Sequence, residues 1–234
     1  MEQNQPFQIG LSRVEVSERS FLTQVYFWMA MGLALTGFVA AWVAQTPGVM
    51  AALMQNTFSM LVLVFIQIGI VMWLSSRIAQ LSVMAATVGF SIYATLNGVM
   101  FSTIFLVYTG ASIALTFMVT AGTFALVSVY GFVTKRNLTS AGSFCAMALI
   151  GIILASLVNL FFKSSVLYWI LTYAGVAIFI GLTAYDTQQL KQIHRQGFGS
   201  QEMTQKIALL GALKLYLDFI NLFLLLMRVM GRRK

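Results

Sequence analysis

The sequence predicts an all-α integral membrane protein built as a bundle of seven transmembrane helices. Hydrophobic residues make up 59% of its 234 residues and charged residues only 9%, and its mean hydropathy is +0.87. Soluble domains carry about 25% charged residues, so this chain has too little charge to cover a water-facing surface. The apolar residues occur in long continuous runs, which indicate spanning helices rather than the short alternating strands of a barrel.

Seven of these runs are long enough to cross the hydrocarbon core of a bilayer, which takes about 20 mostly apolar residues. They lie at 22–44, 57–75, 81–106, 111–133, 142–162, 166–189 and 207–229. Pro47 and Gly48 fall in the first gap and favour a turn there. The other gaps are short except for a longer loop predicted at 190–206. We therefore expect a polar tail at 1–20 and one transmembrane domain at 21–234.

The basic residues between the runs predict a cytoplasmic N-terminus, because cytoplasmic loops are enriched in Lys and Arg. With the N-terminus inside, the basic residues on the cytoplasmic side are Arg13, Arg19, Arg77, Lys135, Arg136, Lys191, Arg195 and Lys206. The opposite loops contain only Lys163. The basic C-terminal segment 228–234 lies outside if all seven runs span and inside if the last run is re-entrant. Since charges near the first helix weigh more, we favour seven spans.

Composition argues against several classes of protein. Cys145 is the only cysteine and His194 the only histidine, so neither an internal disulfide nor a cysteine- or histidine-based metal centre is expected. Phosphate-binding loops, zincin helices and nucleophile elbows are not found, so we predict neither an enzyme nor a cofactor. The net charge of +8 is spread over short gaps rather than gathered in one patch, which argues against nucleic acid as a partner.

Two of the six acidic residues, Asp186 and Asp218, lie inside apolar runs. A carboxylate at the membrane centre costs about 2.5–3.5 kcal/mol on insertion scales, so each needs a compensating partner or a use. At about 100° per residue, Lys214, Asp218, Asn221 and Arg228 form one polar stripe on the last helix. Such a stripe cannot face lipid, which predicts that the last helix is central and surrounded by the other six.

The sixth helix has a polar face of its own, on which Thr183 and Asp186 lie together. If adjacent antiparallel helices bring Asp186 and Asp218 together, both cannot ionise cheaply and the pair would share a proton. The same pair would bind a calcium ion weakly and transiently, since calcium takes about six to eight oxygens. A structural reading stays open, in which Asp218 pairs with Lys214 and Asp186 satisfies a helix end. A retinal protein built on Lys214 is disfavoured, because no other motif supports a retinal pocket.

The segments around both aspartates resemble the transmembrane Bax inhibitor motif family, also called the Bax-inhibitor family, and most of all its bacterial inner-membrane members. The matching residues are Gly181–Lys191 (GLTAYDTQQLK) and Leu215–Phe223 (LYLDFINLF). The resemblance implies seven helices, with the last one central and the other six in two three-helix layers. It also implies a calcium-permeable leak gated by pH through a di-aspartyl sensor at Asp186 and Asp218. Arg77 is the candidate for a basic latch onto Asp186.

From the residues and the resemblance together we predict a pH-gated cation leak channel for calcium in the bacterial inner membrane, with a cytoplasmic N-terminus. Besides Asp186 and Asp218, its pathway or latch would include Arg77, Lys214, Asn221 and Thr183. The predicted partners are membrane lipid, calcium ions and protons. The alternative function is a regulatory protein that binds a membrane protease, or membrane quality-control partners, through the tail at 1–20.

Overall fold

The computed structural model describes residues 5–55, 57–197 and 199–234, and over these residues the chain forms helices and no strand. In chain order the helices are α1 (Gln5–Ala44), α2 (Pro47–Gln55), α3 (Thr57–Arg77), α4 (Val83–Phe101), α5 (Ile104–Val107), α6 (Gly110–Val133), α7 (Thr139–Phe162), α8 (Ser165–Gln196) and α9 (Gln201–Met230).

Seven helical segments of the described chain are long and apolar enough to span a membrane, which confirms the predicted fold class. They are Ser17–Ala44, Met60–Arg77, Val83–Val107, Gly110–Val133, Thr139–Phe162, Ser165–Gln196 and Gln201–Met230. Each contains or closely overlaps one of the seven predicted runs. The third segment is interrupted after Phe101, where α4 ends and the short helix α5 follows.

Local chemistry accounts for several helix ends. Ser82 is the N-cap of α4, and its hydroxyl accepts a hydrogen bond from the Ala85 amide at 3.1 Å. Thr109 begins α6 in the same way. These side chains satisfy amides that have no partner within the first helical turn. Lys163 ends α7 with a φ of 48°, in the left-handed region.

The long loop predicted at 190–206 is wrong. Helix α8 continues to Gln196 and α9 begins at Gln201, so the connection covers only residues 197–200. Gly197 and Gly199 adopt φ values of 75° and 70° within it, a conformation that glycine takes without steric cost. The polar tail is likewise helical from Gln5 onward and continuous with the first span. An apolar run indicates only the part of a helix that lies inside lipid. Polar extensions of the same helix are therefore not predicted from it.

Helix α9 is continuous over its 30 residues, which at 1.5 Å per residue corresponds to about 45 Å. A re-entrant segment would need a break in this helix, and none occurs. The helix is also the most buried of the seven spans, with 61% of its most apolar window buried against 6% to 33% in the others. The arrangement of all six other helices around it stays a prediction.

The chain divides into two compact units. The first holds the residues up to Ser102 together with Leu190–Leu213. In it α1 and α4 approach closely, since a Cβ added at Gly98 would lie 2.7 Å from both the Thr36 carbonyl oxygen and the Val39 Cβ. The Thr36 hydroxyl donates to the Ala94 carbonyl at 2.9 Å. Small residues therefore bring these two helices together, as is usual in membranes.

The second unit holds Thr103–Gln189 and Lys214–Lys234. Glycines mark its closest helix contacts. An added Cβ would collide with the Ala184 backbone at Gly131 and with the Tyr185 ring at Gly142, and at Gly175 it would lie 2.8 Å from Leu225. These contacts join α8 to α6, α7 and α9 respectively. The apolar core of this unit consists of Cys145, Ile178, Phe179, Leu182 and Leu222.

Candidate functional site

The two aspartates predicted as the working pair meet between α8 and α9 in the second unit. The Asp186 side chain is 3% exposed and Asp218 is 5% exposed. The two carboxyl groups lie near enough to influence each other's charge. Two carboxyl groups in such a buried site cannot both ionise cheaply, which suits a pair that shares one proton.

Lys214 belongs to the same cluster, but it does not pair with Asp218 as the structural alternative in the sequence analysis expected. Its Nζ lies 2.8 Å from Asp186 Oδ1 and 2.6 Å from Gln189 Oε1. The ammonium also lies 5.4 Å from the centre of the Tyr185 ring. Lys214 on α9 therefore pairs across to α8 rather than with Asp218 on its own helix. Within the described residues, Asp218 Oδ2 has no hydrogen-bond partner.

The pair borders an open cavity of about 800 Å³ that is lined by α7, α8 and α9. Helix α7 contributes a wall of small and aliphatic residues, among them Leu149, Ile150, Ile153 and Leu157. Helix α9 contributes the polar stripe of Lys214, Asp218, Asn221 and Arg228. From Lys214 to Arg228 the stripe covers 15 residues, and the 14 steps between them correspond to about 21 Å along the helix axis. The polar face inferred from helical periodicity thus lines one continuous cavity.

The other two polar residues assigned to the pathway differ in position. Asn221 lines the cavity, and its amide donates to the Leu217 carbonyl at 2.8 Å. Thr183 is fully buried, donates to the Phe179 carbonyl at 2.7 Å and does not line the cavity. Thr183 therefore bonds within α8, one turn away from Asp186.

Arg77, the candidate latch, ends α3 in the first unit. Its Nη1 donates to Gln80 Oε1 at 3.0 Å. The cation that pairs with Asp186 in this structure is Lys214. A latch between Arg77 and Asp186 stays a prediction.

Calcium would find a partial oxygen shell at the pair. Among residues 5–55, 57–197 and 199–234, no group of three or more His, Cys, Asp or Glu side chains could hold a metal ion. Asp186 and Asp218 supply carboxylate oxygens, and the Asn221 amide lies on the same cavity. Water would complete the shell of six to eight ligands, so these residues fit passing rather than stored calcium.

A buried ionic cluster in the first unit was missed by sequence reasoning, which assigned Glu18 to the tail. Glu18 is 2% exposed. Its Oε1 lies 2.5 Å from Arg195 Nε, and its Oε2 lies 4.0 Å from Lys191 Nζ. Next to this pair, His194 stacks on Phe21 with ring centres 4.6 Å apart. The only available signal was that Lys191, His194 and Arg195 recur at helical spacing.

Comparisons with known proteins agree on one family. The family model described as "Inhibitor of apoptosis-promoting Bax1" matches residues 18–234. The inner membrane protein YbhL of Escherichia coli (strain K12) is 49% identical over 217 residues, covering 92% of this chain and 93% of the relative. Uncharacterized proteins of Borreliella burgdorferi and Rickettsia prowazekii are 42% and 40% identical, covering 93% and 99% of this chain and 94% of each relative.

Proposed function

Because the chain is a multi-pass membrane protein of the Bax inhibitor family, we propose that it forms a pH-gated cation leak pathway, with calcium as the permeant ion. The proposed sensor is the Asp186–Asp218 pair. One observation carries the proposal: two buried carboxyl groups, Asp186 and Asp218, border the same cavity, which the polar stripe of α9 lines. The similarity to an inner membrane protein of Escherichia coli supports placing the protein in the inner membrane of a bacterium.

The pair supports gating because the presence or absence of one proton determines whether α8 and α9 attract or repel each other at this point. With the proton shared, a hydrogen bond joins the two helices across the pair. Without it, two like charges lie in contact in a poorly solvated site and repel each other. The same loss of a proton makes more carboxylate oxygen available to a hard cation. The separation of the two helices and the cation affinity of the site therefore depend on the same titration.

The cavity supports passage because its polar groups are arranged along its length. Lys214, Asp218 and Asn221 border it at successive turns of α9, and Arg228 follows two turns later, after Leu225. Polar groups inside a membrane protein face the bundle interior or a wet cavity and often mark ion pathways. On α7 the lining residues are small or aliphatic apart from Ser156, so an ion in this cavity would find most of its polar partners on α9.

The alternative function, regulation of a membrane protease or of quality control through residues 1–20, also remains a proposal. Glu18 lies within that tail, and its side chain is buried against Arg195 and Lys191. A partner contact through the tail would therefore rely on residues before Glu18 or would displace this ion pair.

Calcium flux into liposomes that hold the purified protein, measured at several values between about pH 6 and pH 8, tests the proposal. We expect a pH-dependent leak in the parent protein. Asp186→Asn and Asp218→Asn should flatten that dependence, because each removes one member of the pair. Glu202→Gln is the matched control, since it neutralises an exposed carboxylate outside the cavity, and it should keep the parental profile. A folded parent without a leak would refute the proposal.

A further inference from the structure

Lys214 occupies the position at Asp186 that a passing cation would need. Its Nζ lies 2.8 Å from Asp186 Oδ1, the distance of a direct ion pair. Gln189 and Tyr185, on the same face of α8, hold the ammonium from two further directions, through a 2.6 Å contact to Oε1 and a ring centre at 5.4 Å. A cation arriving at Asp186 would therefore meet a site already filled by a cation that belongs to the protein.

The Lys214 ammonium has more freedom to change position than the Asp186 carboxylate with which it pairs. The Lys214 side chain is 44% exposed and that of Asp186 only 3%. A lysine side chain has a flexible four-carbon stem and a compact, strongly hydrated charge. An ammonium on such a stem can leave Asp186 for the cavity at little desolvation cost. Asp186, by contrast, stays buried on α8 and marks a fixed binding position.

The cavity wall carries as many basic as acidic side chains. Helix α7 contributes no charged residue to the lining, α8 contributes Asp186, and α9 contributes Lys214, Asp218 and Arg228. Two basic side chains thus face two carboxyl groups. Without Lys214, the wall would favour any small cation, because no internal charge would compete for Asp186.

We propose that Lys214 is a tethered competitor that sets both the affinity and the valence selectivity of the pathway. A cation passes only by displacing the ammonium from Asp186. A monovalent ion replaces one positive charge with an equal one, whereas a divalent ion doubles the Coulomb attraction at the same separation. The lysine therefore favours divalent over monovalent cations. This inference rests on the proposed leak function, and it names the residue that selects the ion.

The test compares Lys214→Met, Lys214→Arg and the parent in liposomes, with calcium flux and potassium flux measured over a range of concentrations. Lys214→Met removes the competing charge and should lower the calcium concentration for half-maximal flux about three- to tenfold, as expected for one partly exposed ion pair. It should also reduce the preference for calcium over potassium. Lys214→Arg keeps the charge and should retain that preference. Lys135→Met removes an exposed loop lysine as the matched control and should behave like the parent.

Two further measurements separate this inference from the proposed function. In an Asp186→Asn background, Lys214→Met should have no further effect on affinity, because the contested position is gone. Calcium titration of the melting temperature of the purified protein reports binding without flux, and it should reach half-effect at lower calcium in Lys214→Met. A parent with no leak overturns the function and leaves this titration as the test of Lys214. An unchanged titration midpoint in folded Lys214→Met, or in Lys214→Gln if the Met variant does not fold, overturns the inference.

Discussion

Replacing Glu18 by Gln should destabilise the protein far more than the same replacement at Glu202. Glu18→Gln keeps the shape of the side chain and removes a charge that is 2% exposed and bonded to Arg195 Nε at 2.5 Å. A hydrogen bond to a charged group contributes about 1.5–3 kcal/mol. Arg195 is 54% exposed, so solvent screens part of this contribution. We therefore expect a loss of about 1–2 kcal/mol in the free energy of unfolding.

The assay is equilibrium unfolding of the detergent-solubilised protein, followed by tryptophan fluorescence at low and high salt. Glu202 pairs with Lys206 at 2.8 Å along one helix; the Lys206 side chain is 9% exposed, but the carboxylate that is replaced is 62% exposed, so Glu202→Gln should cost about 0.5 kcal/mol. High salt should reduce the small effect at Glu202 more than the effect at Glu18, because the Glu202 charge lies in solvent and the Glu18 charge does not. Equal losses at the two sites would refute the reasoning that burial gives the Glu18 contact its strength.

The remaining predictions concern the packing and capping of α8, measured in the same unfolding assay. Gly131→Ala should destabilise by about 1–3 kcal/mol, because its methyl group would collide with the Ala184 backbone. An added methyl group at Gly122, on the same helix, would meet open space, so Gly122→Ala should stabilise the protein by up to about 1 kcal/mol. If Gly131→Ala and Gly122→Ala changed the stability in the same direction, this packing would be contradicted. Gln188→Ala should cost about 1–3 kcal/mol, since its amide bonds two backbone groups of the loop after α6 at 2.8 Å, and an unchanged stability would count against that capping role.

The seven spans could be predicted because lipid imposes a simple rule on the sequence. Each span must be apolar over about 20 residues, and the runs show this directly. The polar ends of α8 and α9 leave no such mark, since outside the hydrocarbon region a helix needs no apolar run. The short connection at 197–200 and the helical tail from Gln5 onward were missed for that reason.

The sequence predicted which residues of the site share a face of one helix, but not which residues pair between helices. The stripe with Lys214, Asp218 and Asn221 follows from the periodicity of α9, and its common cavity follows from the cost of polar groups in lipid. The choice of partner did not follow, because spacing within α9 cannot tell which α8 atom reaches Lys214. The contact between Glu18 and Arg195 joins residues 177 positions apart, and no local pattern encodes such a pairing.

The short connection between α8 and α9 bears on how the chain is inserted during biosynthesis. With only residues 197–200 between them, the two helices can enter the bilayer together as one hairpin. Asp186 and Lys214, which pair across this hairpin at 2.8 Å, would then cross as a neutral unit. Each charge alone would cost about 2.5–3.5 kcal/mol at the membrane centre. We therefore expect the membrane insertion machinery to receive the last two spans together, with the charges of Asp186 and Lys214 already neutralised.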